Sequence, residues 1–137
     1  MLRIVLDTNV LISALLRKNT PPYQLYDVWR QGAFELITSN EQLSEISRVM
    51  RYEKLQRYFT PSEAQEMLIG ISTYATVATS LPVITLSPNP DDNKIIATAI
   101  AEHADYIVSG DKSDMIALHA ANGIPIITAK QAINLFE

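Results

Sequence analysis

Apolar residues along this chain follow two spacings. Residues 2–6, LRIVL, form an unbroken aliphatic and β-branched run, the pattern of a strand buried on both faces. It stops at Asp7-Thr8-Asn9, and VLISALL then reads as a short helix with Asn9 as its cap. Thr20-Pro21-Pro22 interrupts the chain, YQLYDVWRQG reads as a helix ending near Gly32, and FELITS as a second strand. Ser39 or Asn40 can cap the next helix, in which Leu43, Ile46, Val49 and Met50 share a face. Thr60-Pro61-Ser62-Glu63 opens another, with Met67, Leu68, Ile71 and Tyr74 on one side.

The second half repeats the alternation. TVATS is a weak strand, SPNPDDN the most turn-rich stretch, and NKIIATAIAEHA a helix with Ile95, Ile96, Ala99 and Ile100 as its apolar positions. DYIVSG predicts a strand leading to Asp111, KSDMIALHAAN a helix, IPIIT a last strand and AKQAINLF a short closing helix. Continuously apolar strands alternating with helices predict an α/β domain, with a parallel sheet covered on both faces. Residues 1–137 show no repeat, linker or low-complexity segment, so one domain is expected.

Composition narrows the class. Cysteine is absent, which excludes disulfides and thiolate metal sites and suits a reducing cytoplasm. LRIVL is too short for a secretory core, and no apolar run approaches the roughly 20 residues of a membrane helix. A net charge of −4 does not suggest a large basic surface for nucleic acid. It does not exclude nucleic acid either, because bound divalent cations neutralise clustered carboxylates.

The carboxylates are therefore the candidate chemistry. Ligands of open parallel sheets bind at the carboxyl ends of the strands. Asp7 follows the first strand, Asp111 follows YIVSG, and Asp92 falls at the start of the helix that follows SPNPDDN. Glu45 lies about one turn into its helix, between Leu43 and Ile46. Each has an ordinary alternative: Asp92 can cap its helix, Asp111 can serve a turn, and Glu45 can face water. Asp7 is harder to set aside, because a carboxylate continuing a buried strand needs a partner or a site. Together, four acids at one edge repel unless a cation holds them. All-oxygen ligands suit Mg²⁺ or Mn²⁺ rather than zinc, and such an ion can activate water against a phosphodiester.

In order along the chain, LDTNVLISALL, SEISRVM, DDNKIIATAIAEHADYIVSGD and IPIIT resemble a PIN-domain protein. The branch most similar is that of toxin components of bacterial and archaeal toxin–antitoxin pairs. The resemblance covers about residues 2–135. It implies a Rossmann-like three-layer sandwich with about five parallel strands, and a Mg²⁺- or Mn²⁺-dependent endoribonuclease acting on RNA. It maps the family's acids onto Asp7, Glu45, Asp92 and Asp111, with Asp7, Asp92 and Asp111 as metal ligands. Asn9 and Ser109 match supporting polar positions. Asp91 would replace Asp92 after a one-residue slip, and Asp114 is either a helix cap or a supporting acid. An antitoxin protein and a second copy of the chain are the partners it implies, in the cytoplasm.

Arg48, Arg51, Lys54 and Arg57 recur at intervals of three. If one helix runs through them they form a basic stripe, with Tyr52, Tyr58 and Phe59 interleaved for base stacking. A solvated face or a dock for an acidic partner gives the same pattern. Lys94 and Lys112 each lie within two residues of a proposed ligand. His103, late in one helix, and His119, within the next, are expected at the surface or in caps, and Trp29 in packing or an oligomer face. Two other functions remain: a binding module that barely cleaves, and a phosphatase with Asp7 as nucleophile. Asn9 argues against the phosphatase, which would carry an Asp there.

Overall fold

The computed structural model describes residues 1–110 and 113–137. Strands β1 (Arg3–Leu6), β2 (Glu35–Ser39), β3 (Thr76–Ala78), β4 (Tyr106–Ser109), β5 (Ala120–Ala121) and β6 (Ile124–Thr128) form one sheet in the order β3-β2-β1-β4-β6-β5. The first five strands in that order run parallel, as expected. The addition is β5, which pairs antiparallel with β6.

Side chains alternate across the pleat and build a core on each face. Ile4, Leu6, Leu36 and Val108 pack against α1 (Thr8–Leu16), α2 (Pro21–Arg30), α3 (Asn40–Met50), α4 (Pro61–Tyr74) and α7 (Ala129–Ile133). Val5, Ile37, Ile107 and Ile126 face α5 (Pro90–Ala101) and α6 (Asp114–Ala117). Every strand of the central ladder is covered on both sides, which is why LRIVL and YIVS carry no alternation of apolar and polar residues.

The chain moves from β1 outward through β2 to β3, then crosses back to place β4 on the other side of β1. Strand order therefore reverses between β1 and β4, and a crevice opens there at the carboxyl ends of the strands. The end of β1 is braced from below. Gln42, buried in α3, donates its Nε2 to the Leu6 carbonyl at 2.6 Å and accepts from Thr38 Oγ1 at 2.7 Å. Its own backbone N–H donates to Ser39 Oγ at 3.1 Å, so Ser39 is the cap of α3.

Several sequence expectations are corrected. Asn9 does not cap α1; the helix begins at Thr8, and the Asp7 carbonyl accepts the Val10 N–H at 2.9 Å. The expected helix over 112–122 is only α6, four residues long. Beyond it Asn122 and Gly123, with φ of 51° and 81°, turn the chain into the β5–β6 hairpin. A two-residue loop with positive φ at both positions is the Asn-Gly hairpin turn, and its signal outweighs the helical periodicity around it. His103 and His119 are exposed, but both lie beyond their helices at positive φ. Tyr74 is 72% exposed and leaves the buried face that Met67 and Ile71 form. Trp29 is buried and packs on Tyr26 with centroids 5.6 Å apart.

Replacing Gln42 with Leu is expected to destabilise the protein by about 2 kcal/mol, because the Leu6 carbonyl and Thr38 hydroxyl lose their buried partner. Urea unfolding should show a lower midpoint at unchanged m value. An unchanged midpoint would mean that the brace contributes nothing.

Candidate active site

Asp7 is the first residue past β1, with its backbone still extended at φ −56° and ψ 147°. Its N–H continues the ladder to the Val108 carbonyl at 2.8 Å. By the alternation of the pleat it shares the face of Val5, the side covered by α5. The side chain is buried, makes no cap hydrogen bond to α1, and accepts from Ser109 Oγ at 2.9 Å through Oδ2. Ser109 itself lies 2.8 Å from Ser113 Oγ. Each hydroxyl has one proton, and that of Ser109 goes to Asp7. The Ser113 hydroxyl donates to the Gly110 carbonyl at 2.8 Å, so Ser113 holds its place against Ser109 while Ser109 donates to Asp7.

Burial is the main influence on Asp7 and pushes its carboxyl up to about 6 from an ordinary 3.8. The Ser109 hydrogen bond opposes the rise, the charge of Asp92 adds to it, and the nearby Thr8 and Asn9 N–H groups lower it. Glu45 approaches from α3, half-buried, and accepts the Thr8 hydroxyl. Its carboxyl is also raised, first by burial; Thr8 opposes this, while Asp91 and Asp7 reinforce it.

Asp92 sits in the first turn of α5. It does not cap the helix, because Asn89 does, through Oδ1 accepting the Asp91 N–H at 3.0 Å. Asp92 accepts from Ser87 Oγ at 3.1 Å, and burial, Asp114 and Asp91 raise its carboxyl against that bond. Ser87 is held in turn by Asn93: the Ser87 N–H donates to Asn93 Oδ1 and Asn93 Nδ2 to the Ser87 carbonyl, both at 2.8 Å. The two adjacent acids thus divide. Asp92 acts on Asp7, whereas Asp91 acts on Glu45 and pairs with Arg48 at 3.4 Å.

Asp114 is exposed and starts α6, but Ser113 supplies the cap, its Oγ accepting the Ile116 N–H at 3.0 Å. Asn9 is exposed beside the crevice. Asp111 and Lys112 lie outside the described residues. Arg48, Arg51, Lys54 and Arg57 are all exposed, but no single helix carries them: α3 ends at Met50, and Lys54 belongs to a 3₁₀ turn, Glu53–Leu55. Arg57 stacks on the exposed Tyr58 at 4.9 Å, while Phe59 is buried in the core and is not a stacking surface. Lys94 is exposed on α5.

Thr8, Gln42, Ser87, Asn93 and Ser113 position the acids and were not singled out from the sequence. Ser39-x-x-Gln42 is a capping-box signature, and SPNPDDN carries the Ser and Asn of a side-chain-bonded turn, so signals for three of them existed.

Among the described residues, no three acids or histidines gather closely enough to hold a metal ion. The donor chemistry nonetheless fits a hard divalent cation. Asp7, Glu45 and Asp92 offer only carboxylate oxygen, and each is raised by burial and by like charge that a cation would offset.

The sign of the pH effect follows from Asp7. Between pH 3.8 and about 6 the unfolded chain releases this proton while the folded chain keeps it. Folding therefore loses stability as pH rises through that window and levels off above it. In metal-free protein, Asp7→Asn is expected to remove this slope and to raise stability at neutral pH by up to about 3 kcal/mol. Urea midpoints of both proteins from pH 4 to 8 with a chelator provide the measurement. Parallel profiles would show that Asp7 is not the group responsible.

Residues 3–113 match the PIN domain family model, a span that includes Asp7, Glu45, Asp92 and Asp111. The chain is 29% identical to the uncharacterized protein MJ1680 of Methanocaldococcus jannaschii over 145 aligned positions, covering 99% of this chain and 92% of that protein. Among the described residues, no helix is long and apolar enough to cross a membrane. The chain belongs to the PIN domain family, whose members are generally nucleases and typically use divalent metal ions.

Proposed function

We propose that this protein is a Mg²⁺- or Mn²⁺-dependent endoribonuclease, hydrolysing RNA phosphodiester bonds as the toxin of a type II toxin–antitoxin pair in the cytoplasm. The observation that carries the nuclease assignment is the buried Asp7 carboxylate at the strand-order reversal, under the like charge of Asp92. Asp7, Asp92 and Asp111 would hold the metal, which when bound supplies an activated water and positive charge for the phosphate. Ser109 occupies Asp7 Oδ2, and among the described residues no other side chain donates to this carboxylate, so Oδ1 is the oxygen that would meet a cation. Thr8 fixes one oxygen of Glu45, whose raised pKa suits a group that orients water and takes up a proton. Water attacking in line with the 3′-oxygen would break the P–O3′ bond, the 3′-oxygen leaving as a hydroxyl, and give a 5′-phosphate. Arg48, Arg51, Lys54 and Arg57 offer exposed charge for the RNA backbone, with Tyr52 and Tyr58 exposed for stacking. The toxin role, the antitoxin partner and a homodimer are supported by the motif resemblance alone.

The spread of the described acids favours one second reading, an RNA-binding PIN module that barely cleaves. Cleavage assays separate the two. Wild-type protein with Mn²⁺ is expected to produce 5′-phosphate fragments from single-stranded RNA, with activity lost on adding a chelator. Asp7→Asn and Asp92→Asn are expected to lower the rate at least a hundredfold, about 2.7 kcal/mol or more of transition-state stabilisation. Undiminished cleavage by Asp7→Asn would reject the site. RNA affinity without metal-dependent product would establish the binding module.

A further inference from the structure

The geometry points to a nucleotide subsite beside the acids: the cleft between the α1–α2 turn and the start of α7 takes one nucleotide of RNA next to the scissile phosphate. This deepens the nuclease reading and rests on it. The cleft has a volume of about 440 Å³, within the roughly 300–1,000 Å³ of small-molecule sites. Asn9, Ser109 and Gly110 are among its lining residues, and Ser109 is the residue that donates to Asp7.

Its walls suit a base. Pro21 and Pro22, at the first turn of α2, line it together with Val10 and Ala129 and make much of its wall apolar. The Asn9 amide and the Ser13 hydroxyl supply donors and acceptors to the same space.

The charge pattern selects a phosphate. Among the described lining residues Lys130 is the one charged group, and no carboxylate accompanies it. Lys130 is exposed and enters no ion pair among the described residues, whereas Arg48 is tied to Asp91. The helix end itself does not serve as the anion site, because Thr128 and Gln131 cap each other. The Gln131 N–H donates to Thr128 Oγ1 at 3.2 Å, and the Thr128 N–H donates to Gln131 Oε1 at 2.9 Å. The side chain of Lys130 is what remains for a phosphate.

Placement in the fold sets the path of the strand. Helix α3 leaves β2 and α7 leaves β6, on either side of the β1–β4 pair. RNA reaching from Arg48 to Lys130 crosses Asp7, and the nucleotide on the α7 side enters the cleft.

The test uses the full chain, 5′-fluorescein-labelled hexauridylate and a chelator, so that the probe stays intact, with binding read by anisotropy. Lys130→Gln is expected to weaken binding about tenfold at low salt and to reduce the slope of log K against log salt by about 0.7, the loss of one single-strand phosphate contact. Ser13→Leu, which fills the cleft, is expected to weaken binding comparably without changing the slope. Its melting temperature checks that it folds, and the surface change Lys130→Gln stands if it does not. Wild-type affinity and slope in Lys130→Gln overturn the subsite, while loss of cleavage in Asp7→Asn would still uphold the nuclease. Dependence on Lys130 and Ser13 without any metal-dependent cleavage upholds the subsite and overturns the nuclease.

Discussion

The burial of one carboxylate at the end of the central strand is the constraint around which this protein is organised. β1 has neighbours on both sides and helices on both faces, so whatever continues it is withdrawn from water. In a fold held together only by apolar packing, that position would carry another aliphatic residue. Asp7 stands there instead, only 6% exposed. A buried charge needs polar support, and the chain supplies it from distant segments: the Ser109 hydroxyl from β4, backed by Ser113 at the start of α6. Support for the strand end itself comes from Gln42, which satisfies the carbonyl just before Asp7.

Topology explains why Glu45 and Asp92 come to the same edge of the sheet as Asp7, without closing into a cluster among the described residues. A strand-order reversal leaves no crossover covering the crevice between β1 and β4. The helices that follow β2 and β3 bring Glu45 and Asp92 to that side, and each is held by a hydroxyl. The hydrogen bonds orient the acids but do not remove their mutual repulsion, and the net effect on all three is a raised pKa. The folded protein thus holds a concentration of negative potential that packing alone does not require.

Much of this was legible in the chain, and the gaps have physical causes. Hydrophobic runs located β1, β2, β4 and β6, because strands covered on both faces cannot hide their composition. The positions of Asp7 and Asp92 followed from element ends. Periodicity reports only which side of a helix is apolar; it could not show that the helix stops at Met50, and so the basic stripe was drawn too long. It also favoured a helix through His119, where the Asn122-Gly123 turn imposes a hairpin. Phe59 was read with its exposed tyrosine neighbours but faces the core. The positioning residues were the least legible. Gln42 looks like a helix-surface residue until the fold brings the Leu6 carbonyl over it, and a contact spanning 36 residues has no local pattern.

The small hairpin has a consequence for the edges of the sheet. A long exposed edge strand is a template onto which another chain can add by backbone pairing. Here one margin of the sheet is the two-residue β5 and the other is the three-residue β3. Neither offers enough unpaired N–H and carbonyl groups in register to seat an incoming strand. The sheet is closed to lateral growth without being closed into a barrel. Backbone pairing at the sheet margins is thereby a poor route to a partner, and any contact surface is left to helices and loops, where side chains set the fit.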